Sequence, residues 1–326
     1  MTLFVTGGSG FVGRALLAEL AKRGRPARAL ARSEGAAEIV RGLGAEPARA
    51  SLDDGAAIAR ALEGCDAIVH SAAKVDEWGP RDEFYRTNVE ATKRLLELGR
   101  AAGVRRFVHI STEAVLADGA PIVDADETRP YPARFAGLYP ETKAEAERAV
   151  LAASGGGFEA LALRPRFVWG LGDTTLVPKL AEAMRRGRFA WVDGGHFLTS
   201  TCHVGNLVEA VCLALERGAG GQAYFVTDGP PVEFRAFVTS LLRTQGVEPP
   251  ARSVPRALAR AAAALAEGAA ALTGRRPPFT RTGVALAGQR VTVVDRKARR
   301  ELGYEGTITR DEGLAQMAAA SAPAGA

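Results

Sequence analysis

The sequence predicts an α/β fold, a doubly wound parallel sheet with a smaller C-terminal lobe. Two observations predict it. Short apolar runs alternate with helical spacing through the first half of the chain, and that alternation is lost after Gly170. At roughly 150 residues per domain, the 326 residues suggest about two domains. The first is residues 1–170, with 203–228 returning to the sheet; the second, 171–326, is mainly a lobe and a tail.

Leu3-Phe4-Val5 is a short apolar run, and Phe11 to Lys22 has helical spacing. Ala27 to Ala31 reads as a strand and Ala36 to Arg41 as a helix. Glu46 to Leu52 is a weak strand, Ala56 to Leu62 a helix, and Ala67 to Val69 a strand core. A long helix covers Arg81 to Ala102 and stops at Gly103; Phe107 to Ile110 is the next strand core. Fully apolar strands of this length suit a sheet covered on both faces. Residues 117–138, rich in Pro, Asp and Gly, read as a loop. Tyr139 to Ala153 is a helix, with Pro140 tolerated in its first turn and Gly155-Gly156-Gly157 ending it. Leu161 to Leu163 is a further strand. Residues 171–200 and 229–290 build the second lobe, and the last nine residues read as disordered.

Composition excludes several classes. Hydrophobic residues make up 47% and charged residues 24%, as in ordinary globular proteins. Six of the 42 basic residues are Lys, and no basic run with interleaved aromatics suggests nucleic acid. Cys65, Cys202 and Cys212 each sit in apolar stretches and read as reduced core residues of a cytoplasmic protein. Four dispersed His residues lack metal-ligand spacing. The Ala-rich stretch 257–272 carries Arg260 and Glu267 and reads as a packed or surface helix, not a span.

Gly7-Gly8-Ser9-Gly10-Phe11-Val12-Gly13 lies between the first strand and the first helix. Glycines there permit a tight turn and close backbone approach to a pyrophosphate, which the helix N-terminus attracts. This marks a dinucleotide-binding domain of Rossmann type. No Gly-Lys-Ser/Thr follows, which excludes a nucleoside-triphosphate loop. Arg32 ends the second strand, where NAD sites usually place an acid. A guanidinium there suits a 2′-phosphate, so NADP(H) is favoured over NAD(H).

Tyr139-Pro140-Glu141-Thr142-Lys143 places a phenol and an ammonium one helical turn apart. A free phenol has a pKa of about 10 and is a poor acid–base catalyst near neutrality. A neighbouring cation favours the phenolate; lowering the pKa by about three units corresponds to roughly 4 kcal/mol. Ser111-Thr112 follows the strand Phe107 to Ile110, at the sheet end where ligands of such folds bind. A hydroxyl there can hold a substrate oxygen beside the phenol.

This set resembles the extended short-chain dehydrogenase/reductase family. The resemblance rests on Thr6 to Gly13, His70-Ser71-Ala72-Ala73, Asn88-Val89-x-x-Thr92, His109-Ile110-Ser111-Thr112, Tyr139-x-x-x-Lys143, Arg164-Pro165, His203-Val204-x-Asn206 and Leu302-Gly303-Tyr304. These span almost the whole chain in the family's order. Ala72-Ala73-Lys74 followed by Trp78-Gly79 is most similar to the 3β-hydroxysteroid dehydrogenase and 3-ketoacid reductase branch, with dihydroflavonol reductase-like enzymes as neighbours. The resemblance implies Tyr139 as general acid/base, Lys143 as its pKa modifier and ribose anchor, and Thr112 or Ser111 as oxyanion partner, spacing from Val115 favouring Thr112. It implies cofactor contacts at Gly7, Ser9, Gly10, Phe11, Val12, Gly13, Arg32, Ser71, Ala72, Ala73, Asn88, Tyr139, Lys143 and Pro165. Ser51-Leu52 stands where the family often has Asp and an aliphatic residue near the adenine.

Trp78, Glu113, Arg166 and Trp169 are the candidate substrate contacts, with Trp191 and Phe197 as further walls; the aromatic residues are more often packing, and Arg166 could equally be a surface arginine. The predicted activity is an NADP(H)-dependent interconversion of a small-molecule ketone and secondary alcohol. Alternatives are a nucleotide-sugar epimerase or dehydratase on the same scaffold, and a non-catalytic NADP(H) sensor. A homodimer through helices flanking the fourth and fifth strands is possible.

Overall fold

A computed structural model of the chain describes residues 1–187 and 189–321. From the N-terminus β1 (Leu3–Thr6), α1 (Phe11–Lys22), β2 (Ala27–Ala31), α2 (Glu34–Gly42), β3 (Glu46–Arg49), α3 (Gly55–Leu62) and β4 (Ala67–His70) alternate strictly. Then α4 (Arg81–Phe84) passes through a π-helical segment, Tyr85–Glu90, into α5 (Ala91–Ala101). The sequence predicts one long helix here; the π-segment within it is not visible in apolar spacing. It is followed by β5 (Arg106–Ile110), β6 (Ile122–Ala125), α6 (Leu138–Ala152) and β7 (Glu159–Pro165).

The main sheet runs Ala223–Val226, β7, β5, β4, β1, β2, β3, and every pairing is parallel. Residues alternate between its two faces with the period of a strand. Leu3, Val5, Val69 and Val108 enter one core cluster, with Leu16, Leu17 and Leu20 of α1; Phe4, Ile68 and Phe107 enter the other, with Ile58 and Leu62 of α3. The strand order reverses between β1 and β4, so their carboxyl ends open the crevice where ligands of such sheets bind.

After β7 come α7 (Val177–Arg185), α8 (Val204–Arg217), α9 (Phe234–Arg243), α10 (Arg256–Thr273) and α11 (Arg281–Ala287). A second sheet joins Val232–Glu233, Leu198–Thr199, Val291–Val293 and β6. Thus the predicted loop 117–138 contains a strand. Its partner lies far along the chain, with Ile122 opposite Val291, so no local pattern announces it. Of the nine terminal residues read as disordered, 318–321 close the helix Arg310–Ser321, where Met317 is buried; 322–326 lie outside the described residues.

The three cysteines are free and buried. The charged pair beneath the site is buried too. Arg164 of β7 donates from Nη2 to Glu147 Oε1 of α6 at 2.6 Å, and Tyr131 Oη donates to the same oxygen at 2.6 Å. Side-chain exposure is 4% for Arg164 and nil for Glu147, so removing one partner strands a charge away from water. Glu147→Ala is expected to lower stability by about 3–5 kcal/mol in chemical denaturation, against well under 1 kcal/mol for Glu248→Ala, whose pair with Arg243 is exposed.

Candidate active site

The glycine string forms a cradle that side chains would fill. Gly7 adopts φ +73°, and a Cβ there would lie 2.8 Å from the Ala72 amide nitrogen. A Cβ on Gly8 would meet Ala29 Cβ at 2.8 Å, and one on Gly13 would sit 2.1 Å from the Gly7 carbonyl oxygen. The loop closes through Gly10 N–H donating to Gly7 O at 2.9 Å. No side chain caps α1, so the opening turn at Phe11, Val12 and Gly13 keeps its amides free for an anion. The cradle therefore fits a dinucleotide pyrophosphate. One neighbour escaped the sequence reading: Arg14 Nε donates to Ser9 O at 2.7 Å, bringing a second guanidinium to the loop. Its signal was an arginine one position beyond the motif.

The remaining cofactor candidates fall around this crevice. Arg32 is exposed just after β2, with no ion-pair partner among the described residues, and Ser33 beside it caps α2 through Ala36 N at 3.2 Å. Ser51 lies exposed in the turn after β3, while Leu52 packs on the core and its carbonyl accepts from Arg94 at 2.9 Å. Ser71 Oγ donates to Thr6 O at 2.8 Å, and Ala72 N donates to Thr6 Oγ1 at 3.2 Å, holding Ser71-Ala72-Ala73 over Gly7. Asn88, in the π-segment, is bonded to Lys74 N and O at 2.7 and 3.1 Å and to Thr142 Oγ1 at 3.0 Å. It braces the segment after β4 against α6. Pro165 closes β7, opposite Val226.

Ser111 and Thr112 follow β5, and Thr112 caps the short 3₁₀ turn Glu113–Leu116. Thr112 Oγ1 donates to Glu113 Oε2 at 2.8 Å, and Arg166 Nη1 donates to Glu113 Oε1 at 2.6 Å. Arg166 also donates to Leu286 O at 2.7 Å. Ser111 Oγ is buried without a protein partner. Tyr139 stands in the first turn of α6. That turn is fixed by Gly137, at φ +156°, which packs against Thr282 of α11 so closely that a Cβ would overlap it.

The electrostatics differ from the sequence expectation. Burial pushes the Tyr139 phenol pKa well above its ordinary value, and the Glu113 carboxylate adds to the rise; the Thr112 hydroxyl and Arg166 oppose it. Lys143 Nζ points to the end of β5, donating to Ile110 O at 2.8 Å and bonding His109 Nε2 at 3.0 Å. Burial lowers its pKa to about 7, with Glu147 opposing. Lys143 is not among the groups that shift the phenol in this arrangement. Burial and the nearby Lys143 keep His109 neutral, so its Nε2 accepts from the ammonium. His70, bonded to Thr6 and Thr92 at 2.7 and 2.9 Å, is held neutral by burial at about 3. His109 is thus part of the Lys143 environment.

The candidate substrate contacts divide. Trp78 is half-buried and lines a cavity of about 590 Å³ with Phe135, Leu138 and residues of α10 and α11, next to Tyr139. Trp169 is corrected: it is fully buried, donates to Asp228 Oδ2 at 2.7 Å, and packs against Phe237 and His203. Arg166 is neither a surface residue nor open to substrate, because Glu113 neutralises it in the interior. Trp191 is buried against Phe189, and Phe197 stacks on Phe234. Among the described residues no group of His, Cys, Asp and Glu could hold a metal ion, and no helix is long and apolar enough to cross a membrane.

The depressed Lys143 pKa has a thermodynamic sign. Between about 7 and the unfolded value, the unfolded chain binds the proton and the folded chain does not, so this residue's contribution rises with pH in that window. The stability of the wild type relative to Lys143→Met should therefore increase by roughly 2–4 kcal/mol from neutral to mildly alkaline pH in urea titrations. A constant difference would place the amine in water.

Comparison with known proteins bears on the family and the fold. The sequence profile of the 3-beta hydroxysteroid dehydrogenase/isomerase family matches residues 4–256. The chain is 50% identical over its whole length, and 98% of the relative, to a 4-hydroxy-2-methyl-3-oxo-4-farnesyl-3,4-dihydroquinoline-1-oxide ketoreductase of Stigmatella aurantiaca. It is 37% identical, over 99% of its length and all of the relative, to a 2-alkyl-3-oxoalkanoate reductase of Stenotrophomonas maltophilia. Among solved structures, MoeE5 in complex with UDP-glucose and NAD superposes with a TM-score of 0.72 at 27% identity, covering 98% of both chains. A cradle for a dinucleotide, a Tyr-x-x-x-Lys helix and this match across most of the sequence lead to one assignment: the chain is an oxidoreductase of the extended short-chain type and belongs to the 3-beta hydroxysteroid dehydrogenase/isomerase family.

Proposed function

We propose that the protein is an NADP(H)-dependent ketoreductase that acts on an apolar ketone by hydride transfer, Tyr139 serving as proton donor. The observation that carries this is the place of the Tyr139 phenol, in the first turn of α6 beside Thr112 at the carboxyl end of β5, in a sheet whose β1 end carries the glycine cradle. A ketone oxygen that gains negative charge needs a proton, and the Tyr139 hydroxyl is the donor placed to give it. The bound nicotinamide supplies the hydride in reduction and takes it in oxidation. Gly7, Gly10 and the first turn of α1 would hold its pyrophosphate, and Arg32 its 2′-phosphate.

Thr112 Oγ1 lies between the Glu113 carboxylate and the phenol. Turning its proton from Glu113 towards the substrate would give the ketone oxygen a second hydrogen bond, and Glu113 would remain paired with Arg166. Lys143, held by Ile110 O and His109 at the end of β5, would anchor the cofactor ribose one helical turn from Tyr139. The cavity that adjoins Leu138 offers Trp78 and Phe135 among charged side chains such as Arg81, Asp118, Arg260 and Glu267. The substrate class is supported by the reductase relatives, whose names describe a farnesyl-bearing and an alkyl-bearing ketone. Their identity, higher than that of the nucleotide-sugar-binding MoeE5, favours this reading over an epimerase.

Two measurements test the proposal. Tyr139→Phe should reduce turnover of an alkyl ketone by at least about a hundredfold while leaving NADPH affinity within about twofold; retained turnover refutes the proton donor. Calorimetric titration should show tighter binding of NADPH than NADH, and Arg32→Ala should weaken NADPH about tenfold or more without altering NADH. Equal affinities for both cofactors in the wild type refute the 2′-phosphate contact.

A further inference from the structure

The helix α10 is inside out. Its 18 residues carry three charges, and Arg256, Arg260 and Glu267 all line the cavity on the protein side. At 3.6 residues per turn the opposite face carries Leu258, Ala261, Ala262, Leu265, Ala269 and Leu272. The three leucines recur every seven residues and are 63%, 77% and 90% exposed. Only Ala263 and Ala270 of this helix are buried. Past its C-terminal end, Phe279 is also exposed. A soluble surface helix normally presents the reverse pattern, and a continuous exposed apolar stripe marks a contact surface.

Charge indicates what covers it. Residues 252–276 hold five arginines against one glutamate, which is most of the chain's formal net charge of +5. Arg252 and Arg275, at the two ends of the stripe, are exposed and have no ion-pair partner among the described residues; Arg276 beside them is exposed and reaches only Asp76. A second copy packed antiparallel on this stripe would bring arginine ends against arginine ends. An anionic lipid surface would satisfy both features, because leucines enter the acyl boundary while arginines remain among phosphate headgroups.

We propose that α10 is a docking helix by which the protein lies on an anionic membrane surface, without crossing it. The helix is too short and too polar on its inner face to span a bilayer. Because the same helix walls the cavity beside Tyr139, docking would set the cavity against the lipid phase. The membrane contact itself does not depend on which reaction the site performs.

Co-sedimentation of the full chain with large unilamellar vesicles tests it. Vesicles of phosphatidylcholine with about one third phosphatidylglycerol should bind the protein, and pure phosphatidylcholine vesicles or high salt should release most of it. The triple variant Leu258→Gln, Leu265→Gln, Leu272→Gln should lower partitioning at least about tenfold, with circular dichroism and thermal midpoint little changed, since these side chains lie mostly in solvent. Wild-type protein that stays in the supernatant with anionic vesicles would overturn the proposal, as would undiminished partitioning of the variant. Light scattering that finds a wild-type dimer which the three substitutions convert to monomer would also overturn it, because a second copy would then cover the stripe. NADPH titration of the same samples separates this from the reductase reading, which neither result touches.

Discussion

The closeness of α1 to β1 is the constraint on which the site depends. With a 2.1 Å gap between the Gly7 carbonyl oxygen and the place a Gly13 Cβ would occupy, only glycine allows the helix to begin where it does. That approach fixes the uncapped first turn over the carboxyl end of β1, next to the reversal of strand order. The Ser71-Ala72 backbone then seals the loop from the β4 side through Thr6. A larger side chain at Gly7, Gly8 or Gly13 would push apart strand, loop and helix together, and the anion cradle with them.

Across the crevice the chemistry is set by what burial does to charged groups. Glu113 and Arg166 neutralise each other near the phenol, and Arg164 and Glu147 do so about two turns further along α6. These pairs leave Lys143 in a dry environment with one carbonyl and one neutral imidazole as partners. Its pKa falls while that of Tyr139 rises, so the proton sits on the phenol and the amine is poised near neutrality. The two groups are driven in opposite directions by one cause, since burial disfavours the charged form of each.

The parallel sheet was legible because each strand is a short apolar run followed by a helix, a pattern that buried strands require. The cradle and the Tyr139-x-x-x-Lys143 helix were legible because their chemistry demands fixed spacings. What the sequence hid depends on distant partners. Strand β6 exists through Val291–Val293, far along the chain. Arg166 looks like any other arginine until Glu113 is folded against it, and Trp169 becomes core once Asp228 accepts its indole proton. The partners of Lys143 were hidden for the same reason: a lysine one turn from Tyr139 suggests the phenol as its neighbour, but its Nζ turns to Ile110 O and His109 at the end of β5. Helix α10 was read correctly as a helix that does not span, yet which face it turns outward cannot be learned from its own residues.

A crystal structure with NADP(H) bound tests the central claim most directly. The claim predicts the pyrophosphate on the amides of Phe11 and Val12, the 2′-phosphate on Arg32, and the nicotinamide ring beside Tyr139 Oη. A pyrophosphate bound elsewhere, or a ring directed away from that phenol, would contradict it.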